Sequence, residues 1–222
     1  PIGTPILNAA MKEERTRVRE HIREYKNGAT LLLRDSVDLS AKEPTSVAVT
    51  DHKATVYERV GDTLFSTPAG AFFQNNRSII PLVIDYVKMQ PCLQEQCAPR
   101  YLVDTYCGSG LFALSLASLF DEVAGVEISA SSIDCARQNA ERNGITNAKF
   151  LAGNAENIFA VRGCVATDIQ SISYPRKQTT VVIDPPRRGC DQAFLDQLVA
   201  LRPKNIVYVS CNVHVRICLR SG

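Results

Sequence analysis

The rhythm of apolar positions changes near residue 100. Before it, Met11, Val18, Ile22 and Tyr25 fall on one stripe of a helical projection, which predicts an amphipathic helix over residues 10–25. After the turn signal Asn27-Gly28 come short runs rich in β-branched residues: Ala29–Arg34, Ser46–Thr50, Ala54–Val60 and Asp62–Thr67. Turn residues separate them, and they read as an antiparallel meander. Ala-Phe-Phe-Gln-Asn-Asn (71–76) then leads into a helix over 77–89. Beyond Tyr101 the pattern alternates strand with helix. Strands are predicted at 101–106, 123–127, 148–152, 179–184 and 205–210, and helices at 110–120, 130–143 and 191–202. Ser129 and Asp191 are placed to cap the last two helices, with Gly144 and Pro203 closing them. Such alternation implies an α/β doubly wound parallel sheet joined by right-handed crossovers. The expected organisation is a small α+β subdomain over 1–90, a Pro/Gln/Cys-rich linker over 91–100, and an α/β domain over 101–222. Residues 160–178 read as an irregular insertion.

Composition narrows this picture only a little. The chain has 222 residues, 45% of them hydrophobic and 22% charged, with a net charge of +2. These values suit an ordinary globular protein, and no apolar run approaches the ~20 residues of a membrane span. Charge is uneven, however. From Ser171 to Gly222 there are eight basic residues and three acids, an excess that suits a polyanionic partner or merely a solvated face. The eight cysteines are scattered, without C-x-x-C or His/Cys clusters at ligand spacing. Neither a metal nor a disulfide framework is expected, and a reducing compartment follows: cytosol, nucleus or mitochondrial matrix. A monomer is expected.

Candidate chemistry begins at Asp104-Thr-Tyr-Cys-Gly108-Ser-Gly110-Leu-Phe-Ala113, a strand, a glycine turn and a helix start. Glycines there admit a ligand close to the backbone, and the helix start offers unpaired N–H groups. Seventeen residues after Gly110, Glu127 ends the next strand, where a carboxylate can accept hydrogen bonds from both ribose hydroxyls of an adenosine cofactor. The same spacing fits a dinucleotide fingerprint, so NAD and S-adenosyl-L-methionine compete. Asp104 favours the second, because it is expected to face a cationic centre and would repel a pyrophosphate. Asp184-Pro-Pro-Arg187-Arg188-Gly puts a further carboxylate at a strand end. Two prolines stiffen the loop there, and two arginines suit phosphate contacts.

Asn-Ile-Val-Tyr-Val-Ser-Cys-Asn (205–212) places Cys211 at the carboxyl mouth of the last strand, eleven residues before the chain ends. Most free cysteines only pack, and that reading is applied to Cys92, Cys97, Cys135, Cys164, Cys190 and Cys218. Cys107 is expected to fill space beneath the cofactor. Position and neighbouring arginines single out Cys211, beside Asp184 if consecutive strands are neighbours. A thiolate beside a methyl donor suggests C5 alkylation of a pyrimidine: addition to C6 makes C5 nucleophilic, and loss of the C5 proton later expels the thiol.

These segments, with Gly28-Ala-Thr-Leu-Leu-Leu-Arg34, Gly-Val-Glu-Ile-Ser (125–129) and Tyr-Val-Ser-Cys-Asn (208–212), resemble the class I RNA uracil-C5 methyltransferases, most closely the fungal-type tRNA (uracil-5-)-methyltransferases. The resemblance implies a Rossmann-like sheet, S-adenosyl-L-methionine as cofactor, and tRNA as partner, with the T-loop uridine at position 54 as target. Gln74, Tyr106, Gly108, Gly110, Leu111 (through its backbone), Glu127 and Asp184 are implied in holding the cofactor or the base. Arg187, with Arg188 beside it, is implied in RNA contact, and Cys211 is the implied nucleophile. It also makes the Cys211 strand interior, with two more strands beyond. On this reading the chain is a piece of a longer protein. The family's N-terminal barrel is missing, Val213 stands where many members have proline, and residues after His214 form a foreign tail. The family's general-base glutamate is absent from that tail, so turnover is expected to be impaired. A non-catalytic tRNA-binding module and an NAD-dependent oxidoreductase are the rival readings.

Overall fold

The computed structural model describes residues 3–42, 45–74, 76–90, 93, 100–155 and 174–210. The chain divides into two compact units, Pro1–Arg77 and Ser78–Gly222. In the first, helix α1 spans Pro5–Glu20. It starts earlier than the apolar stripe suggests because Pro5 opens its first turn, where a fixed φ and a missing N–H cost nothing. It ends at His21, before a 3-10 turn at Ile22–Glu24. No residue of α1 is buried, and Ile22 is 56% exposed, so the stripe expected over 10–25 is not a core face.

Strand β1 (Arg34–Asp38) pairs antiparallel with β2 (Thr45–Val49), and β3 (Thr55–Val60) with β4 (Thr63–Pro68). These are two separate two-stranded sheets, not the expected meander. β1 is joined to β3 by a side chain, Ser36 Oγ accepting the Tyr57 N–H at 2.9 Å, and not by a ladder. The expected strand over 29–34 is also displaced, since pairing begins only at Arg34. The polar run Arg-Asp-Ser-Val-Asp makes the strand because its side chains find partners in the fold. Asp35 accepts from Arg77 at 2.5 Å, while Glu58 on β3 accepts from the same guanidinium at 2.7 Å. Burial pushes the Glu58 carboxyl up, against the pull of Arg77. Val56 and Val60 of β3, together with Phe65 of β4, build the apolar side, and Phe73 packs on Phe65 with ring centroids 5.6 Å apart.

The second unit opens with α2 (Ile79–Lys88), which buries Ile80, Ile84 and Val87. Its sheet comprises β5 (Tyr101–Asp104), β6 (Glu122–Glu127), β7 (Ala148–Ala152), β8 (Thr179–Ile183) and β9 (Asn205–Tyr208), all parallel in the order β7-β6-β5-β8-β9. β8 is buried throughout, as a strand covered on both faces must be. Strand order reverses between β5 and β8, and the carboxyl ends flanking such a reversal form the crevice where α/β sheets hold ligands. Helix α3 (Leu111–Ser115) is shorter than the stretch expected over 110–120, because it gives way to a 3-10 turn at Ala117–Leu119. Helices α4 (Ala130–Arg142) and α5 (Gln192–Leu201) are capped as expected, by Ser129 Oγ and Asp191 Oδ1 accepting from Ser132 N and Phe194 N. Gly144 turns left-handed after α4, with φ 64°. α5 packs Phe194 and Leu198 onto Val103, Val181 and Ile183. Among the described residues no helix is long and apolar enough to cross a membrane.

The Asp191 cap yields a direct stability test. Asp191→Ala should cost about 1 kcal/mol and lower the melting temperature by roughly 2–4 °C, whereas Asp191→Asn should retain most of it. A melting point unchanged in the alanine variant would remove the cap from the account of α5.

Candidate active site

β5 delivers the chain to the centre of the sheet edge and the glycine loop bends it into α3. Cys107 N–H donates to Val126 O at 3.0 Å and Gly110 N–H to Cys107 O at 2.8 Å, which closes the turn. Gly108 (φ 52°) and Gly110 (φ 91°) are both left-handed, a conformation that costs a side-chain-bearing residue. A Cβ on Gly110 would lie 3.0 Å from Leu114 Cδ1, whereas one on Gly108 would meet nothing within 4 Å. Gly110 therefore serves packing, and Gly108 leaves open space over the backbone. The Leu111 side chain is buried, so anything it offers a ligand comes from its backbone.

Asp104 does not face outward as expected. Its side chain is fully buried, with Oδ2 accepting the Ala113 N–H at 3.0 Å. It ties the end of β5 to the first turn of α3 from beneath the loop. Oδ1 has no hydrogen-bond partner among the described residues. Burial, with the charges of Asp184 and Glu127 adding to it, pushes this carboxyl up to about 7. Glu127, at the end of β6, accepts from Gly108 N at 3.3 Å through one oxygen and from Ser129 N at 3.0 Å through the other. Glu127 and Asp184 are both felt by the buried Asp104, and the field of these two carboxylates favours a cationic ligand over a pyrophosphate.

Asp184 follows β8, half-buried. Beyond it Gly189 N–H donates to Pro186 O at 2.8 Å, a tight turn that carries Arg187 and Arg188 exposed at its tip. Tyr106 packs edge-on against Phe194, with centroids 5.7 Å apart, and reaches the Cys190 thiol. Cys107 is buried, and burial pushes its thiol well up. A Cβ on Gly125 would lie 2.9 Å from its sulfur and 2.5 Å from the Phe150 ring, so Cys107 fills the space under the loop.

Two residues escape a reading of the sequence alone. Asn139 of α4 is completely buried and donates Nδ2–H to Ser109 O at 3.1 Å, holding the loop from the side. Its signal is a polar residue on the face that otherwise carries Ile133, Ala136 and Ala140. Ile128, directly after Glu127, is 74% exposed, an apolar surface at the rim where a flat apolar ring can rest. Its signal is an apolar residue just past a strand end.

The structure brings Tyr106, Gly108, Gly110, Leu111, Glu127 and Asp184 to the carboxyl side of one sheet. Gln74 is half-buried in the first unit. Phe72 before it is 79% exposed, while Phe73 is buried. Cys211 lies outside the described residues, three positions past the end of β9. β8 and β9 are neighbours, with Ile183 level with Tyr208.

A family model described as tRNA (Uracil-5-)-methyltransferase matches residues 46–218. The chain belongs to this family. The match runs past His214, where the resemblance was expected to stop. Among relatives, the tRNA (uracil(54)-C(5))-methyltransferase of Schizosaccharomyces pombe is 44% identical over 97% of this chain and 39% of its own length. The enzyme of that name from Saccharomyces cerevisiae is 37% identical over 96% of this chain and 37% of its own. The chain therefore spans under half the length of these relatives. The crystal structure of Pyrococcus abyssi tRNA (uracil-54, C5)-methyltransferase in complex with S-adenosyl-L-homocysteine superposes with a TM-score of 0.53 at 25% identity, covering 78% of this chain and 39% of that one.

The buried Asp104 makes a signed prediction for this methyltransferase-family chain. The unfolded chain releases that proton near 3.8 and the folded chain near 7. Between those values the folded state holds more protons, so the stability this group contributes is full below about 3.8 and is lost as pH rises through 7. Asp104→Asn keeps the acceptor for Ala113 but cannot ionise. Denaturant unfolding from pH 4 to 8 should show the variant gaining on the parent as pH rises, and parallel curves would refute the assignment.

Proposed function

We propose that this chain is the cofactor-binding core of an S-adenosylmethionine-dependent tRNA uracil-54 C5-methyltransferase. One observation carries the reading within this family: Glu127 is held at the mouth of a left-handed glycine loop whose surrounding carboxyl groups favour a cation. The residues fit the cofactor. The carboxylate of Glu127 would take the ribose hydroxyls, Ile128 the adenine face, and the backbone at Gly108, Gly110 and Leu111 the remainder, with Tyr106 and Asp184 lining the approach. When bound, S-adenosylmethionine supplies an electrophilic methyl group on a sulfonium.

The chain's own residues activate the other reactant. Cys211, as thiolate, adds to C6 of the uracil, and the C5–C6 double bond moves its electrons to C5. After C5 is methylated, its proton must pass to a base before the electron pair can re-form the double bond and expel the thiolate; without the family's glutamate this release is expected to be slow. Gln74 would hold the base, and Arg187 and Arg188, at the tip of a stiff turn, suit the phosphates around it. A reducing compartment suits a nucleophilic thiol. These assignments are supported by the family match, by the placing of Glu127, Asp184, Arg187 and Arg188 at strand ends and turns, and by the chemistry that an unactivated pyrimidine carbon requires.

Calorimetric titration is the first test: S-adenosylmethionine should bind, NAD should not compete, and Glu127→Ala should weaken binding about tenfold or more, the worth of a hydrogen bond to a charged group. Tight NAD binding in its place would sink the proposal. Cys211→Ala should abolish 5-methyluridine formation on a tRNA transcript while tRNA affinity is kept. If, with the chain in excess over tRNA, the parent and the alanine variant bind tRNA alike and neither forms a covalent adduct nor methylates it, the chain is a binding module only.

A further inference from the structure

The motif Gly28-Ala-Thr-Leu-Leu-Leu-Arg34 has no part in the chemistry above, yet its last residue reaches the segment that carries Gln74. Arg34, at the start of β1, is half-buried, and burial lowers its basicity. Its Nε–H donates to Ala69 O at 3.0 Å and its Nη2–H to Ala71 O. One planar guanidinium thus grips two carbonyl oxygens of the stretch that leaves β4. A guanidinium fork fits two acceptors in one plane, whereas an ammonium is a point charge on a flexible stem. The same stretch is held from other sides: Ala69 N–H donates to Ala54 O at 2.8 Å, Gly70 N–H to His52 O at 3.0 Å and Ala71 N–H to Pro68 O at 2.9 Å. Two residues beyond Ala71, Phe73 is plugged against Phe65. At the far end Arg77 is fixed by Asp35, by Glu58 and by Ser46 Oγ at 3.0 Å.

Gln74 therefore sits on a short strap pinned at both ends. Asp35 follows Arg34 directly on β1, so one strand supplies both pins: Arg34 for the near end and the Asp35 carboxylate for the far one. We propose that Arg34 is a positioning residue for uridine methylation, holding the Ala69–Ala71 backbone so that Gln74 is presented in one place. The proposal rests on the reading that Gln74 holds the target base or the cofactor. Arg34 touches neither. Its effect is geometric, since a shift of about 1 Å in a positioning group can cost on the order of a hundredfold in rate.

Two measurements on the whole chain decide it, with Arg34→Lys as the variant because charge and bulk are kept and the fork is lost. In amide hydrogen exchange, the Ala69, Gly70 and Ala71 amides should exchange faster in Arg34→Lys, on the order of tenfold or more, while the β3–β4 ladder stays protected. Unchanged exchange at those three amides, or equal loss across β3–β4, overturns the clamp. In single-turnover methyl transfer to a tRNA transcript, with the chain in excess, Arg34→Lys should lower the rate on the order of tenfold with the affinity for tRNA little changed. The double variant Arg34→Lys/Gln74→Ala should be no slower than Gln74→Ala alone, because Arg34 acts through Gln74. Independent, multiplying losses overturn the positioning role. If Gln74→Ala methylates as well as the parent, the reading of Gln74 fails, and with it the role assigned to Arg34, whatever the exchange arm says of the clamp.

Discussion

The hydrogen bond from Ala113 N to the buried Asp104 carboxyl is the constraint around which the second unit is arranged. A carboxyl with no exposure is costly unless it is paired or protonated. Here it takes one N–H from the first turn of α3 and meets the rest of the cost by holding its proton to about 7. That single bond joins the central strand to the helix that follows it, and the glycine loop has to span the distance between them. Gly108 and Gly110 adopt left-handed backbone because the connection is that short. Asn139 steadies the loop through the Ser109 carbonyl, and Cys107 with Phe150 fills the volume that Gly125 leaves beneath it. The open side of the loop, with Glu127 across it, is what remains for a ligand.

The first unit solves a different problem with the same means. Val56, Val60, Phe65 and Phe73 form its apolar side, and polar clusters hold the strands and the segment after them in place. Arg77 gathers Asp35, Glu58 and Ser46, and Arg34 gathers two carbonyls of the chain leaving β4. Breaking one partner of such a half-buried cluster leaves the others without compensation, which makes these residues hard to replace singly. The segment carrying Phe72 and Gln74 inherits its rigidity from them.

Much of the second unit was legible in the residue pattern. Strand–helix alternation, the caps at Ser129 and Asp191, the turn at Gly144 and the fully apolar β8 are all local signals, each with a local cause. The first unit was legible only in part. β1 forms on Arg-Asp-Ser-Val-Asp and not on the apolar run before it, because Arg34, Asp35 and Ser36 each have a partner far along the chain. The stripe of Met11, Val18, Ile22 and Tyr25 looked like a buried face, but Pro5 starts α1 sooner and the helix buries none of its residues.

By itself the sequence determined the family, the parallel sheet and the residues gathered at its carboxyl edge, since periodicity, glycine turns and strand-end acids are short-range features. It also singled out Cys211 as the candidate nucleophile, a proposal that rests on sequence and chemistry alone. Tertiary structure decided which acid does what. In one dimension Asp104 and Glu127 both read as ligand-facing carboxylates, the first toward a cationic centre and the second toward ribose hydroxyls. Folding puts the first wholly out of water against a helix start and leaves the second half-exposed, bonded to Gly108 and Ser129. Burial and hydrogen-bond partners depend on residues far apart in the chain, and they turn two similar side chains into a structural anchor and a ligand-binding candidate.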